Sequence, residues 1–216
     1  MYNIEHSQVP LDIITDIYNQ YLSENGFFVD VGAFDGVTCS NTRSLAESGW
    51  SGLLIEPLPE AYLQLENLYR NNNKITTINC GISNKEEILN LYQNGMISTF
   101  RTFGLPFYRL TNRTQSSIIC YTLEYILNKH NVSKIDVLSI DVEGFEDKVM
   151  DSFDIERYKP ALCIIELHAG IYNGKESEFK DIKLIQNCES YLTNYKLIYS
   201  DHINNIYVRN NDNDRL

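Results

Sequence analysis

The chain has 216 residues, of which 43% are hydrophobic and 22% charged, and this composition excludes disorder as its overall state. The length suits one domain with a substantial core. A formal net charge of −11 opposes attraction to a phosphate backbone, so no nucleic-acid partner is expected. No apolar run approaches the roughly 18 residues of a membrane span, and residues 1–6 do not resemble a signal peptide, so the sequence predicts a cytoplasmic protein.

Apolar periodicity predicts helices and strands that alternate along the chain. Residues 10–23 repeat apolar side chains at three- and four-residue spacing, which predicts a helical segment within residues 1–25. The predicted strands cover 26–31, 51–55, 74–79, 135–140, 161–166, 195–199 and 205–208. The predicted helices cover 38–48, 60–71, 123–130, 145–150 and 176–191. This alternation favours an α/β fold with a mostly parallel seven-stranded sheet and a C-terminal antiparallel hairpin, followed by a polar tail at 210–216.

The first predicted strand ends in a motif typical of a nucleotide cradle. Asp30 is followed by Gly32 and Gly36, and glycines allow a tight turn and close approach to a ligand. The second strand ends in Glu56, a carboxylate that can accept both hydroxyl hydrogens of a ribose. The spacing lacks the third glycine of a dinucleotide fingerprint, so a dinucleotide-dependent oxidoreductase fits poorly. It also lacks the Gly-Lys-Ser/Thr of a P-loop. The remaining pattern is typical of S-adenosylmethionine sites.

Acids also end the fourth and fifth predicted strands. Asp141 and Glu143 follow the predicted strand 135–140. Glu166 is the last residue of the predicted strand 161–166, and His168 lies in the turn after it. Ligands of open α/β sheets bind at the carboxyl ends of the strands, so we expect these side chains beside the cradle. Such a set allows general base chemistry or an oxygen-rich divalent metal site. For Glu146 the alternative is a first-turn acid that the helix dipole favours.

One segment interrupts the alternation of strands and helices. Residues 88–123 contain no acid, while three arginines alternate with aromatic side chains. We interpret residues 93–117 as an inserted loop or lid over the acceptor, because long loops with aromatic content are commonly functional. The predicted acceptor-binding side chains are Arg101, Arg109 and Arg113, which suit phosphate or carboxylate groups. A β-hairpin with solvated arginines remains the alternative.

These blocks together resemble the FkbM-type S-adenosylmethionine-dependent methyltransferases. The resemblance covers about residues 26–170 and rests on residues 30–36, 49–57, 140–146 and 166–168. It implies a class I methyltransferase (Rossmann-like) fold for residues 26–209. It also implies an enzyme that methylates a hydroxyl oxygen of a sugar, glycan or other small-molecule acceptor. The cofactor-binding residues that it implies are Asp30, Gly32, Ala33, Phe34, Gly36, Glu56 and Asp141.

An alcohol acceptor must lose its proton when its oxygen is methylated. His168 is the predicted base, with Glu166 or Asp141 orienting it. The same three residues could instead hold a divalent metal that acidifies the hydroxyl, and Glu143 is a further catalytic candidate. A non-catalytic cofactor-binding or scaffold protein on the same fold remains an alternative, because fold does not imply function.

Overall fold

A computed structural model describes residues 7–101, 114–167, 171–172, 175–176 and 181–210. The helices are α1 (Leu11–Tyr21), α2 (Arg43–Glu47), α3 (Pro59–Tyr69), α4 (Leu123–Lys129), α5 (Glu146–Met150), α6 (Ile155–Tyr158) and α7 (Ile182–Ser190). The strands are β1 (Phe27–Val31), β2 (Ser51–Ile55), β3 (Ile75–Ile78), β4 (Gly81–Ile82), β5 (Glu87–Gln93), β6 (Thr114–Tyr121), β7 (Val137–Ile140), β8 (Leu162–Glu166), β9 (Ile171–Tyr172), β10 (Lys175–Glu176), β11 (Tyr195–Ser200) and β12 (Asn204–Arg209).

Seven strands form the central sheet in the order β11-β12-β8-β7-β1-β2-β3. The strands from β8 to β3 are parallel, while β12 pairs antiparallel with both β8 and β11. This sheet confirms the predicted α/β fold class with its C-terminal hairpin. The order reverses at β1, which lies between β2 and β7, and an open α/β sheet binds ligands at such a point.

Strands β1, β7 and β8 are almost wholly apolar and buried, because helices cover the sheet on both faces. Phe28 and Ile164 pack in one hydrophobic cluster with α1, while Val29 and Ile165 pack in another with α4 and α7. Alternation along the strands therefore places Asp30, Ser139 and Glu166 on the α1 side. Asn204 lies directly opposite Glu166 in the antiparallel pair of β12 and β8.

Two helices are shorter than the sequence periodicity predicts. The segment 38–48 becomes helical only at Arg43, because the Asp35 carboxylate accepts the N–H groups of Val37 and Thr38 (2.8 and 2.7 Å) and turns the chain. Helix α7 begins at Ile182, where Asp181 caps it by accepting the Leu184 N–H (3.0 Å). Within the described part of the chain no helix is long and apolar enough to cross a membrane.

A second, three-stranded sheet in the order β4-β6-β5 was not predicted as such. Strands β5 and β6 pair antiparallel, so the described ends of the insert form the base of a hairpin and residues 114–117 are strand. Leu91 and Ile118 pack this sheet against Leu58 and Ala61 at the start of α3. Arg109 and Arg113 lie outside the described residues.

Candidate functional site

An open cavity lies at the carboxyl ends of β1, β2 and β7. Six of the seven predicted cofactor residues line it: Asp30, Gly32, Ala33, Phe34, Glu56 and Asp141. The seventh, Gly36, shapes the turn behind it, since its N–H donates to the Ala33 carbonyl (2.9 Å). The residues of the predicted cofactor motif therefore lie at this cavity.

Gly32 lets two strands meet at this cavity. Its φ is +90°, and a Cβ at this position would overlap the carbonyl oxygen of Asp141. Its N–H donates to the Ile55 carbonyl (2.9 Å), which ties the turn to the end of β2. Only glycine satisfies both the left-handed backbone and the close approach.

Glu56 lies at the end of β2, where its buried carboxylate is held by two backbone N–H groups. Oε2 accepts from Phe34 (2.8 Å) and Oε1 accepts from Leu58 (2.7 Å). Burial raises the pKa of Glu56 to about 7, although both hydrogen bonds favour the ionised form. Each carboxylate oxygen keeps a second lone pair, so the group can accept further hydrogen bonds from a ligand.

Asp30 is the second buried carboxylate of the cavity. Thr42 Oγ1 donates to its Oδ2 (2.6 Å), yet burial raises the pKa of Asp30 to about 6. Two acceptors thus flank the cradle, one on β1 and one at the end of β2.

Three of the four predicted catalytic residues come together. Ile140 pairs with Ile165, so the next residues, Asp141 and Glu166, are neighbours at the edge of the sheet. One carboxylate oxygen from each of Asp141, Glu143 and Glu166 lies within 4.8 Å of the other two. We call these three residues the acid cluster. Asp141 and Glu143 line the cavity, whereas Glu166 is buried behind them. The fourth residue, His168, lies outside the described residues.

Glu146 supports the loop that carries Glu143. It is buried, and its Oε1 accepts the N–H groups of Gly144 (3.0 Å) and Val142 (3.3 Å). Glu143 and Gly144 both have positive φ, at 55° and 95°, a conformation that these hydrogen bonds help to hold. Burial raises the pKa of Glu146 to about 7. Glu146 therefore holds the backbone of this loop, a role that its place in the first turn of α5 does not reveal.

The start of the insert is tied to the same loop. Thr99 Oγ1 donates to the Glu143 carbonyl (2.8 Å) and accepts the N–H of Arg101 (2.9 Å). The Arg101 side chain forms an ion pair with Asp181, whose pKa it lowers. Met96 and Phe100 line the cavity. The described part of the insert is thus a wall of the cavity, and Arg101 joins it to α7.

Two polar residues near the site, the buried Asn204 and the half-buried Gln8, carry no signal that the sequence analysis recognised. Asn204 lies on the same sheet face as Glu166, since residues directly opposite in an antiparallel pair share a face. Gln8, in the segment before α1, lines the cavity although it is 22 residues before Asp30 in the chain. Asn204 and Gln8 each reach the site from a distant part of the chain, so the local periodicity of the sequence does not predict their positions.

Three buried acids give the ligand-free protein an expected pH dependence. Burial raises the pKa values of Asp30, Glu56 and Glu146, so between about pH 4 and 7 the folded chain binds more protons than the unfolded chain. The free energy of unfolding should therefore fall as pH rises through this window. We expect a lower Tm at pH 8 than at pH 5 in calorimetry, and a smaller difference for Glu146→Gln. A Tm that increases from pH 5 to pH 8 would contradict the expectation.

The methyltransferase FkbM domain model matches residues 30–193. Among solved structures, a putative rRNA methylase from Clostridium thermocellum is 9% identical with a TM-score of 0.50, and the alignment covers 97% of this chain and 98% of that one. Aeropyrum pernix fibrillarin with natively bound S-adenosyl-L-methionine is 11% identical with a TM-score of 0.48; the alignment covers 85% of this chain and 66% of the fibrillarin chain. A putative S-adenosyl-L-methionine-dependent methyltransferase from Methanococcus maripaludis is 13% identical with a TM-score of 0.48, and the alignment covers 94% of this chain and 86% of that one. No curated protein sequence matches the chain significantly. At such identities the Clostridium structure shows the fold alone, that of class I methyltransferases.

Proposed function

The chain belongs to the FkbM methyltransferase family, and from this premise we propose that it methylates a hydroxyl oxygen with S-adenosylmethionine as methyl donor. One observation carries the proposal. The cavity formed by the predicted cofactor residues is also lined by Asp141 and Glu143 of the acid cluster. A methyl donor and a proton acceptor can therefore share one cavity. The acceptor class that we propose is a sugar, glycan or other small molecule.

The residues of the cradle fit this cofactor. Glu56, held by two backbone N–H groups, can accept the hydroxyl hydrogens of the ribose. Asp30 offers a carboxylate to the cationic methionine part. Gly32 lines the same cavity, and its lack of a Cβ lets the Asp141 backbone pack against the turn after β1. When bound, S-adenosylmethionine supplies a methyl group on a sulfonium, which is transferred by in-line displacement.

The protein's task is to align the acceptor oxygen and to receive its proton. Alignment can contribute on the order of 7–11 kcal/mol to lowering the barrier. Asp141 and Glu143 line the cavity, so either can accept the proton, with Glu166 behind them. The apolar side chains of Met96 and Phe100 limit water on the insert side. His168 as the base remains a prediction from its place two residues after Glu166.

A divalent ion at Asp141, Glu166 and His168 also remains a prediction. The oxygens of the acid cluster are hard donors of the kind that Mg²⁺ and Ca²⁺ prefer. Such an ion would acidify the acceptor hydroxyl. A chelator added to the transfer assay separates metal-assisted from metal-free catalysis.

Two measurements test the proposed function. Calorimetry with S-adenosylmethionine, S-adenosylhomocysteine and NAD in parallel should show binding of the first two ligands only. Incubation with methyl-labelled S-adenosylmethionine and a panel of sugars and small alcohols should then transfer label to oxygen. Tight NAD binding would favour the oxidoreductase, and cofactor binding with no transfer to any acceptor would favour the scaffold protein. The cytoplasmic location and the absence of a nucleic-acid acceptor stay predictions.

Variants of Arg101 test whether the insert binds the methyl acceptor. If Arg101 serves only its ion pair, Arg101→Met and Asp181→Asn should each lower the free energy of unfolding by up to about 1 kcal/mol, with non-additive effects in the double variant. We propose that it also contacts an anionic acceptor, together with Arg109 and Arg113. Arg101→Met should then raise the Michaelis constant for acceptor more than Asp181→Asn does. Equal Michaelis constants in the two variants would leave Arg101 with the positioning role alone.

A further inference from the structure

The segment before α1 is fastened to the loop that follows the cradle. Ser7 Oγ donates to Asn41 Oδ1 (2.7 Å), and the Val9 N–H donates to the same oxygen (3.3 Å). Tyr18 of α1 donates its hydroxyl to the Asn41 carbonyl (2.6 Å). Val9 is fully buried. Gln8, between two anchored residues, is therefore held at the wall of the cavity.

Gln8 has an acceptor that the protein itself does not use. Its Oε1 is buried, and among the described residues it receives no hydrogen bond. Buried polar atoms are rarely left in this state, because an unsatisfied acceptor loses its water without compensation. An acceptor of this kind at a ligand cavity indicates a ligand group that donates.

The contacts of Asn41 show which end of the cavity Gln8 occupies. Thr42, the next residue, donates to the Asp30 carboxylate (2.6 Å). Gln8 thus belongs to the Asp30 side, while Glu56 lies at the end of β2 on the other side of Gly32. The Asp30 carboxylate and Gln8 Oε1 are both acceptors. A group with several N–H donors and a positive charge matches them, as an ammonium does.

We propose that Gln8 Oε1 accepts a hydrogen bond from the α-ammonium group of the methionine part of S-adenosylmethionine, so that residues 7–9 complete the cofactor site. This inference rests on the proposed function. The segment lies outside residues 30–193, the part of the chain that the family model matches.

Two ligands separate this role from a general effect on the cavity. S-adenosylhomocysteine carries the amino-acid end, whereas 5′-methylthioadenosine keeps the adenosine and the thioether and lacks that end. Gln8→Met keeps the length of the side chain and removes the acceptor. We expect Gln8→Met to weaken S-adenosylhomocysteine about tenfold in calorimetry, while 5′-methylthioadenosine changes less than about twofold.

Three controls accompany this experiment. Gln8→Glu keeps an acceptor oxygen, now with a negative charge, and should bind S-adenosylhomocysteine at least as tightly as the original protein. Gln20→Ala changes an exposed glutamine of α1 and should alter neither affinity. Thermal unfolding of each variant confirms that it is folded.

The possible results distinguish failure of the Gln8 inference from failure of the proposed function. Equal weakening of both ligands by Gln8→Met, or no weakening of either, overturns the inference and leaves the proposed function intact. If the original chain binds neither ligand, the proposed function fails and the inference fails with it. Selective loss for S-adenosylhomocysteine, restored in Gln8→Glu, supports the inference.

Discussion

Asp141→Asn is expected to lower kcat by about 100- to 10,000-fold, a larger effect than any weakening of S-adenosylmethionine that follows from the place of Asp141 among the predicted cofactor residues. Asp141 lines the cavity and has carboxylate neighbours within 4.8 Å in Glu143 and Glu166. An amide of the same shape cannot accept the proton that leaves the acceptor hydroxyl. The loss should therefore fall on the chemical step. The measurement is single-turnover methyl transfer with an acceptor from the panel, next to calorimetry of the cofactor.

Asp16→Asn is the matched control, because it makes the same change at an exposed position of α1. Glu166→Gln should reduce kcat as well, and the double variant with Asp141→Asn should lose less than the product of the two single losses, as residues that act as a unit do. Full activity in Asp141→Asn would remove this residue from the proton path and leave Glu143 and His168 as the candidates. A chelator that abolishes activity of the unaltered protein would transfer the role of the cluster to metal binding.

Glu56→Gln is expected to weaken S-adenosylmethionine by about 2 kcal/mol, or about 30-fold in Kd. The carboxylate can accept two ribose hydrogens, whereas a neutral amide has one acceptor oxygen and a donor that faces the wrong partner. Glutamine is preferable to alanine here, because alanine would also remove the acceptor of the Phe34 and Leu58 N–H groups and so destabilise the fold. Isothermal calorimetry at pH 8 gives the comparison.

The pH dependence gives this prediction a second readout. Ionised Glu56 is the form that binds ribose, and its pKa is about 7, so affinity should rise between pH 6 and 8. Glu56→Gln should lose most of this rise, although Asp30 still titrates near pH 6. The control is Glu60→Gln, at an exposed position in the first turn of α3. Equal affinities of Glu56→Gln and the unaltered chain at pH 8 would show that Glu56 does not hold the ribose.

Much of this architecture follows from local sequence because its signals are local. The apolar runs of β1, β7 and β8 are buried on both faces, so each is recognisable by itself. The cradle depends on Gly32, whose backbone conformation no other residue adopts without strain. Glu56 directly follows strand β2, and this position places its carboxylate at the carboxyl end of the sheet, where ligands bind.

The unpredicted features depend on contacts between distant parts of the chain. Arg101 and Asp181 are 80 residues apart, and Ser7 and Asn41 are 34 apart. Strand β4 has only two residues, which is too short for any periodicity to show. Glu146 is a local exception: it has the position of an ordinary first-turn acid, yet it holds the Glu143 loop by accepting from N–H groups two and four residues before it. Side-chain roles of this kind are decided by packing, which no local pattern records.

The position of β12 has a consequence for synthesis. It is the last of the seven strands of the central sheet to leave the ribosome, yet it lies inside the sheet, between β8 and β11. Until residues 204–209 emerge, the edge of β8 that ends in Glu166 has no hydrogen-bonding neighbour, and an open edge of this kind invites pairing with other chains. The acid cluster itself lies on segments that emerge earlier. The strand that covers the edge of β8 beside Glu166 arrives only after translation has passed residue 209, and we expect the nascent chain to be most prone to aggregation before that point.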